Sequence, residues 1–161
     1  MKIRITFVCH GNICRSPAAE LIFKRIVSEN GKEGCFDIAS GAATDEEIVN
    51  GKGAPVYPPM AGVLAAHGYD CSRNRANLVT PDYYTKTDLF IVMDHENVRD
   101  LKRIFNGDPE NKVRLLMSFC KSEDPAGEVE DPWYTHRYEA VFSQIERGCI
   151  GLYENLTASG G

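Results

Sequence analysis

Five residues, His10-Gly11-Asn12-Ile13-Cys14, separate Cys9 from Arg15, and Ser16-Pro17 follows. In this order the residue types can bind a phosphate dianion and attack it. Gly11 and Asn12 tolerate the left-handed backbone that lets successive amides converge into an anion-binding nest. Ser16 reads as a helix N-cap with Pro17 at the first helical position, which aims the free amides and positive dipole end of the next helix at the same anion. Arg15 carries a planar fork able to grip two phosphate oxygens at once, which a lysine lacks. Cys9 is the expected nucleophile, because a helix N-terminus beside an arginine favours thiolate over thiol. The plain alternative, a buried cysteine at a strand end, is disfavoured by Gly-Asn inside the loop and Ser-Pro after it.

The surrounding elements have to bring that loop to the end of a sheet. Ile3, Ile5, Phe7 and Val8 make Lys2 to Cys9 a first, central strand. Ala18, Leu21, Ile22 and Ile26 then recur at helical spacing until Asn30-Gly31. Residues 35–40 read as a second strand, and 45–59, rich in Gly and Pro, as a loop over one end of the sheet, before a helix from Met60 to His67. A short helix is expected at 81–84. Asp88 to Met93 is continuously apolar after its first residue, as in a strand covered on both faces. Asp94 ends it before a helix with Val98, Leu101 and Ile104 turned inward. Residues 112–117 read as a short edge strand and 121–130 as a polar stretch without periodicity. Tyr138, Val141, Phe142, Ile145, Cys149, Leu152 and Leu156 share one face of a long closing helix, despite Gly148 and Gly151. Strands alternating with helices imply an α/β fold with a parallel sheet covered on both sides and ligands at the strands' C-terminal ends, where Cys9 lies.

The chain has 161 residues and a formal charge of −5, the size of one domain, with no basic footprint for nucleic acid or an anionic membrane. A phosphate must then be held locally. The first residues lack the apolar run of a signal peptide, and no stretch is long and apolar enough to span a bilayer, so a cytoplasmic location is expected. The six cysteines are far apart and read as free thiols, and the four histidines are scattered, so neither a metal nor another cofactor is expected. Transfer of a phosphoryl group from an ester also needs an acid for the leaving oxygen. Among 23 acidic residues, Asp131 stands out in Asp131-Pro132-Trp133-Tyr134. Taken alone it is equally a helix N-cap ahead of a proline.

The stretch Val8-Cys9-His10-Gly11-Asn12-Ile13-Cys14-Arg15-Ser16-Pro17 resembles the signature of the low-molecular-weight protein tyrosine phosphatases, near the N-terminus in that family too. The resemblance implies a three-layer αβα sandwich with a central four-stranded parallel sheet, and one phosphatase domain over residues 1–156 with a frayed tail at 157–161. It implies that Cys9, Arg15 and Asp131 are catalytic, with Asp131 as general acid. It also implies that His10, Gly11, Asn12, Ile13, Cys14 and Ser16 surround the phosphate and that Trp133 and Tyr134 wall the entrance. Asn12 would serve as a strut reaching Ser40, and Ser16 would hydrogen-bond the departing thiolate. The implied substrate is a phosphotyrosine-containing protein, with inorganic phosphate released through a phosphocysteine and the chain acting as a monomer.

Three other activities share features with this pattern. A thiol-dependent arsenate reductase needs two further cysteines on one mobile segment, and Cys71 has no close neighbour of that type. In protein-arginine phosphatases the position of Ile13 is typically threonine, whereas bulky Ile13 suits an aromatic ring. A non-catalytic phosphopeptide-binding module has no need of Cys9, Arg15 and Asp131 together. Cys14 carries two open readings, a redox partner of Cys9 or a small buried loop residue. Glu46, Glu47 and Ile48 stand where relatives often place an aromatic wall, so the acidic pair is expected to disfavour acidic substrates.

Overall fold

The structure, a computed structural model, describes residues 2–120 and 127–158. A four-stranded, wholly parallel sheet lies at its centre in the order β2 (Phe36–Ala42), β1 (Ile3–Cys9), β5 (Leu89–Val92), β6 (Val113–Leu115). β1 is therefore internal. Alternate side chains leave opposite faces of a strand. Accordingly Phe7 and Ile91 enter one apolar cluster, with Ile22 and Phe23 of α1 (Arg15–Glu29), Met60 and Leu64 of α2 (Pro58–Ala66), and Phe142 and Ile145 of α6 (Tyr138–Ala158). Val8, Phe90 and Val92 enter a second cluster with Leu101 of α4 (His95–Ile104). The fold is thus the expected αβα sandwich, with all four strands found, and α3 (Tyr83–Lys86) and α5 (Pro132–Thr135) completing the helices.

Several local expectations are corrected. β2 continues to Ala42 because its backbone stays in register with β1 as far as Cys9 opposite Ala42. The last strand is only Val113–Leu115, and Leu116–Phe119 winds into a 3₁₀ turn under α6. Residues 45–59 are not simply a loop, since Ile48–Val49 and Lys52–Gly53 form a two-stranded antiparallel hairpin, β3 and β4. Its turn is Asn50-Gly51 with φ of 53° and 75°, the pair that a two-residue hairpin turn of this hand favours. Thr157 and Ala158, expected in the frayed tail, are the last residues of α6. The part of the polar stretch at 121–126 and the tail at 159–161 lie outside the described residues.

Gly148 and Gly151 let α6 approach the 3₁₀ turn closely. A Cβ on Gly148 would lie 2.7 Å from Leu116 Cγ, and one on Gly151 would lie 2.1 Å from the Phe119 carbonyl oxygen. A side chain at either position would push the two elements apart. α6 thereby stays packed along α1, which carries Arg15 at its start.

Candidate active site

β1 delivers Cys9 to the C-terminal edge of the sheet, and the chain turns through residues 10–14 straight into α1. Of the two residues expected to be left-handed, only Asn12 is, with φ of 58°. Gly11 is instead suited by its size, since a Cβ there would meet Glu47 Cγ at 3.0 Å. Ser16 is not the N-cap. The helix already begins at Arg15, Cys14 holds the cap position without a side-chain hydrogen bond, and Pro17 is the third helical residue. Proline is tolerated there because the first-turn amides have no partner within the helix.

Freed from capping, the Ser16 hydroxyl lies 3.1 Å from Cys9 Sγ, and the Ser16 amide lies 3.4 Å from the same sulfur. The Asn12 amide nitrogen donates to Ser16 Oγ at 2.8 Å and to Ser40 Oγ at 3.0 Å. Ser40 in turn donates to Glu20 Oε1 at 2.5 Å. These directions leave the Ser16 hydrogen for the sulfur: its oxygen already accepts from Asn12, and Ser40 spends its own hydrogen on Glu20. On its other side, Asn12 Oδ1 accepts from the Asn77 backbone amide at 3.1 Å and side chain at 3.3 Å. Asn12 and Ser16 are buried behind the loop rather than on the wall of the cleft, and Ser40 is one bond further back.

Arg15 is 4% exposed. Its Nη1 donates to Asp94 Oδ2 at 2.9 Å and to the Val129 carbonyl at 3.1 Å, and its Nη2 stands 3.9 Å from Asp131 Oδ2. Burial works against the guanidinium charge, but Cys9, Asp94 and Asp131 around it prevail and raise its pKa above the ordinary arginine value. The sequence marks Asp94 only as the end of a strand. It caps α4 with Oδ1, accepting from the Asn97 amide at 2.9 Å, while Asn97 Oδ1 accepts from the Asp94 amide at 3.2 Å. This reciprocal capping box holds Asp94 rigid, which leaves Oδ2 to orient Arg15. The signal was available in the sequence as Asp94 with Asn97 three residues on.

Asp131 is the helix N-cap that its sequence allowed, and it also stands in the cleft. Its Oδ1 accepts from the Trp133 amide at 3.0 Å as the cap of α5, and its other oxygen faces Arg15 across the cleft. The cleft encloses about 400 Å³, and Cys9, His10, Gly11, Ile13, Cys14, Arg15 and Asp131 line it with Trp133 and Tyr134 at the mouth. Trp133 and Tyr134 are 62% and 79% exposed, large apolar surfaces left in solvent. The aromatic wall missing from Glu46-Glu47-Ile48 is supplied by Tyr57. Its ring lies 5.8 Å from that of Trp133 and 6.2 Å from that of Tyr138, and its amide is fixed on the Ile13 carbonyl at 2.8 Å. Glu46, Glu47 and Glu96 complete an acidic rim. Burial, reinforced by Cys9, pushes the Cys14 thiol pKa far up. All six cysteines are free thiols, and no described helix is long and apolar enough to cross a membrane.

A thiol with two Ser16 groups at the sulfur, an arginine locked beside it and a carboxyl opposite form a site for phosphoryl transfer. Residues 4–160 match the profile of the low molecular weight phosphotyrosine protein phosphatases. The chain belongs to this family. It is accordingly a protein-tyrosine phosphatase, a phosphoric monoester hydrolase. It is 31% identical over 156 residues to the low molecular weight phosphotyrosine protein phosphatase of Sus scrofa, covering 94% of both chains. It is 34% identical over 155 residues to the low molecular weight protein-tyrosine phosphatase A of Mycobacterium tuberculosis, covering 94% of this chain and 90% of that one. Among solved structures it resembles YfkJ from Bacillus subtilis, with a TM-score of 0.92 and 29% identity over 100% of this chain and 98% of that one.

Proposed function

We propose that this chain hydrolyses phosphotyrosine in proteins, and small aryl phosphates, through a phosphocysteine on Cys9. The observation that carries the reading is the Arg15 guanidinium, buried, fixed on Asp94 and the Val129 carbonyl, and shared between the Cys9 and Asp131 sides of one cleft. The Cys9 thiolate attacks phosphorus in line, forming the S–P bond as the P–O bond to the phenol breaks, and Asp131 delivers its proton to the leaving oxygen. Arg15 and the loop amides stabilise the charge on the three equatorial oxygens. Ser16 supports the sulfur from behind by hydrogen bonding. In the second step Asp131, now ionised, takes a proton from water as that water attacks the phosphocysteine and releases inorganic phosphate.

The walls select the ester. Ile13, Tyr57 and Trp133 offer apolar and aromatic surface to a ring, and a tyrosyl side chain is long enough to carry its phosphorus down to Cys9 where a seryl one is not. The acidic rim of Glu46, Glu47 and Glu96 favours peptides with basic rather than acidic residues beside the phosphotyrosine. Purified protein assayed for phosphate release from phosphotyrosine, phosphoarginine and phosphoserine peptides tests this. The expected order has phosphotyrosine first by a wide margin, with Cys9→Ser inactive on all three. Faster turnover of phosphoarginine would overturn the substrate assignment, and phosphate release by Cys9→Ser would overturn the nucleophile.

A further inference from the structure

His10, Glu96 and Asp100 bring one ligand atom each to within 4.8 Å of one another, a group able to hold a metal ion among the described residues. Its parts come from two elements. Glu96 and Asp100 are four residues apart on α4 and so share one helix face, while His10 projects from the phosphate loop directly after Cys9. We propose that these three side chains form a binding site for a divalent cation of the zinc class, clamping the phosphate loop to α4 at the rim of the cleft.

Four features separate this group from an ordinary acidic patch. First, His10 Nδ1 is buried to solvent and makes no hydrogen bond, an unpaired lone pair or N–H that natural interiors rarely leave without a partner. Second, Nδ1 stands 3.4 Å from Glu96 Oε1, close to the about 3.3 Å that separates two ligands of a tetrahedral zinc ion with bonds near 2.0 Å. Third, the opposite ring nitrogen is already engaged, with Nε2 lying 2.8 Å from Glu46 Oε2. A carboxylate behind one nitrogen fixes the tautomer that presents the other nitrogen's lone pair and makes that nitrogen a better ligand, which is the usual outer shell of a metal-bound histidine. Fourth, the Asp100 side chain is only 12% exposed, and although Oδ1 meets Arg103 at 3.1 Å its second oxygen remains to complete the set. Imidazole with two carboxylates and room for water suits zinc-class ions better than magnesium or calcium, which prefer all-oxygen shells.

The location gives the ion a consequence. His10 and Glu96 both line the cleft, so a cation held there adds positive charge to the acidic rim and ties the residue after the nucleophile to a helix whose cap, Asp94, orients Arg15.

Calorimetric titration of Zn²⁺ into the full-length Cys9→Ser protein tests the site apart from catalysis, since this protein lacks the thiolate that would bind the ion and turns over no substrate. One ion per chain is expected, and Glu96→Gln or Asp100→Asn on that background should each weaken binding at least tenfold. Glu96 is 60% exposed, so its substitution leaves folding intact, which far-UV circular dichroism checks. Co²⁺ in place of Zn²⁺ should give visible ligand-field bands without thiolate charge-transfer absorption. Absence of binding to the Cys9→Ser protein, affinity unchanged in both α4 variants, or a thiolate band in the Co²⁺ spectrum would each overturn the site. None of these outcomes bears on the phosphatase reading.

Discussion

Asn12 is the residue whose removal should reveal how the loop keeps its shape. It is 3% exposed, left-handed at φ 58°, and makes four side-chain hydrogen bonds, to Ser16, Ser40 and twice with Asn77. At about 1 kcal/mol net for each buried bond, Asn12→Ala loses about 4 kcal/mol from hydrogen bonding. Alanine also tolerates the left-handed backbone less well than asparagine, which adds up to about 1 kcal/mol. Water entering the vacated space recovers part of this, so a loss of about 3–5 kcal/mol is expected, a large share of the about 5–15 kcal/mol of a typical domain. Asn12→Gly breaks the same bonds without the backbone penalty and should be more stable than Asn12→Ala by about 0.5–1 kcal/mol. Urea unfolding followed by far-UV circular dichroism measures both. If both variants fall within about 1 kcal/mol of the wild type, or if alanine is as stable as glycine, then the Asn12 network is not what holds the loop.

Other expectations concern the acid, the helix packing and the acid limb of stability. Asp131→Asn should slow poor leaving groups by about 10²–10⁴-fold and good ones far less, and equal losses across a series of substituted phenyl phosphates would remove Asp131 from the acid role. Gly151→Ala places a Cβ 2.1 Å from the Phe119 carbonyl oxygen and should cost about 2–3 kcal/mol, read as a lowered urea midpoint, and a wild-type midpoint would mean that α6 is not seated so closely. Hydrogen bonds from Arg4 hold the Asp88 carboxyl below the usual carboxylate range, so this pair adds stability above that range and the gain fades as pH falls through the lowered value. Because Asp88 is 40% exposed, the gain is under about 1 kcal/mol. Asp88→Asn should therefore be less stable than wild type at neutral pH and match it in strong acid, while an equal gap at both would refute the ion-pair origin.

What could be read from the sequence was local. The phosphate loop runs through eight successive residues, Cys9 to Ser16, and the strand of Ile, Phe and Val before it sets the thiol at a strand end. The alternation of strands and helices likewise carried the order of the sheet's layers. What escaped depends on residues far apart in the chain meeting in space. Asp94 lies 79 residues from Arg15, and no pattern around Asp94 names the guanidinium it will hold. Tyr57 becomes a pocket wall only because the hairpin at Ile48–Gly53 carries the chain back to the Ile13 carbonyl. Asn50-Gly51 announced that hairpin, but its strands are two residues each and too short to show any periodicity. At Ser16 two rules compete: serine before proline is the common start of a helix, and here the hydroxyl is held instead by the sulfur and Asn12.

On the proposed mechanism the phosphoryl group passes through Cys9. Acid quenching during steady-state turnover of an aryl phosphate, followed by peptide mass analysis, measures this directly. The expected result is one phosphoryl group on the peptide that contains Cys9, accumulating further in the Asp131→Asn protein with a good leaving group and absent from Cys9→Ser. Full turnover with no phosphorylated Cys9 peptide in either protein would contradict it.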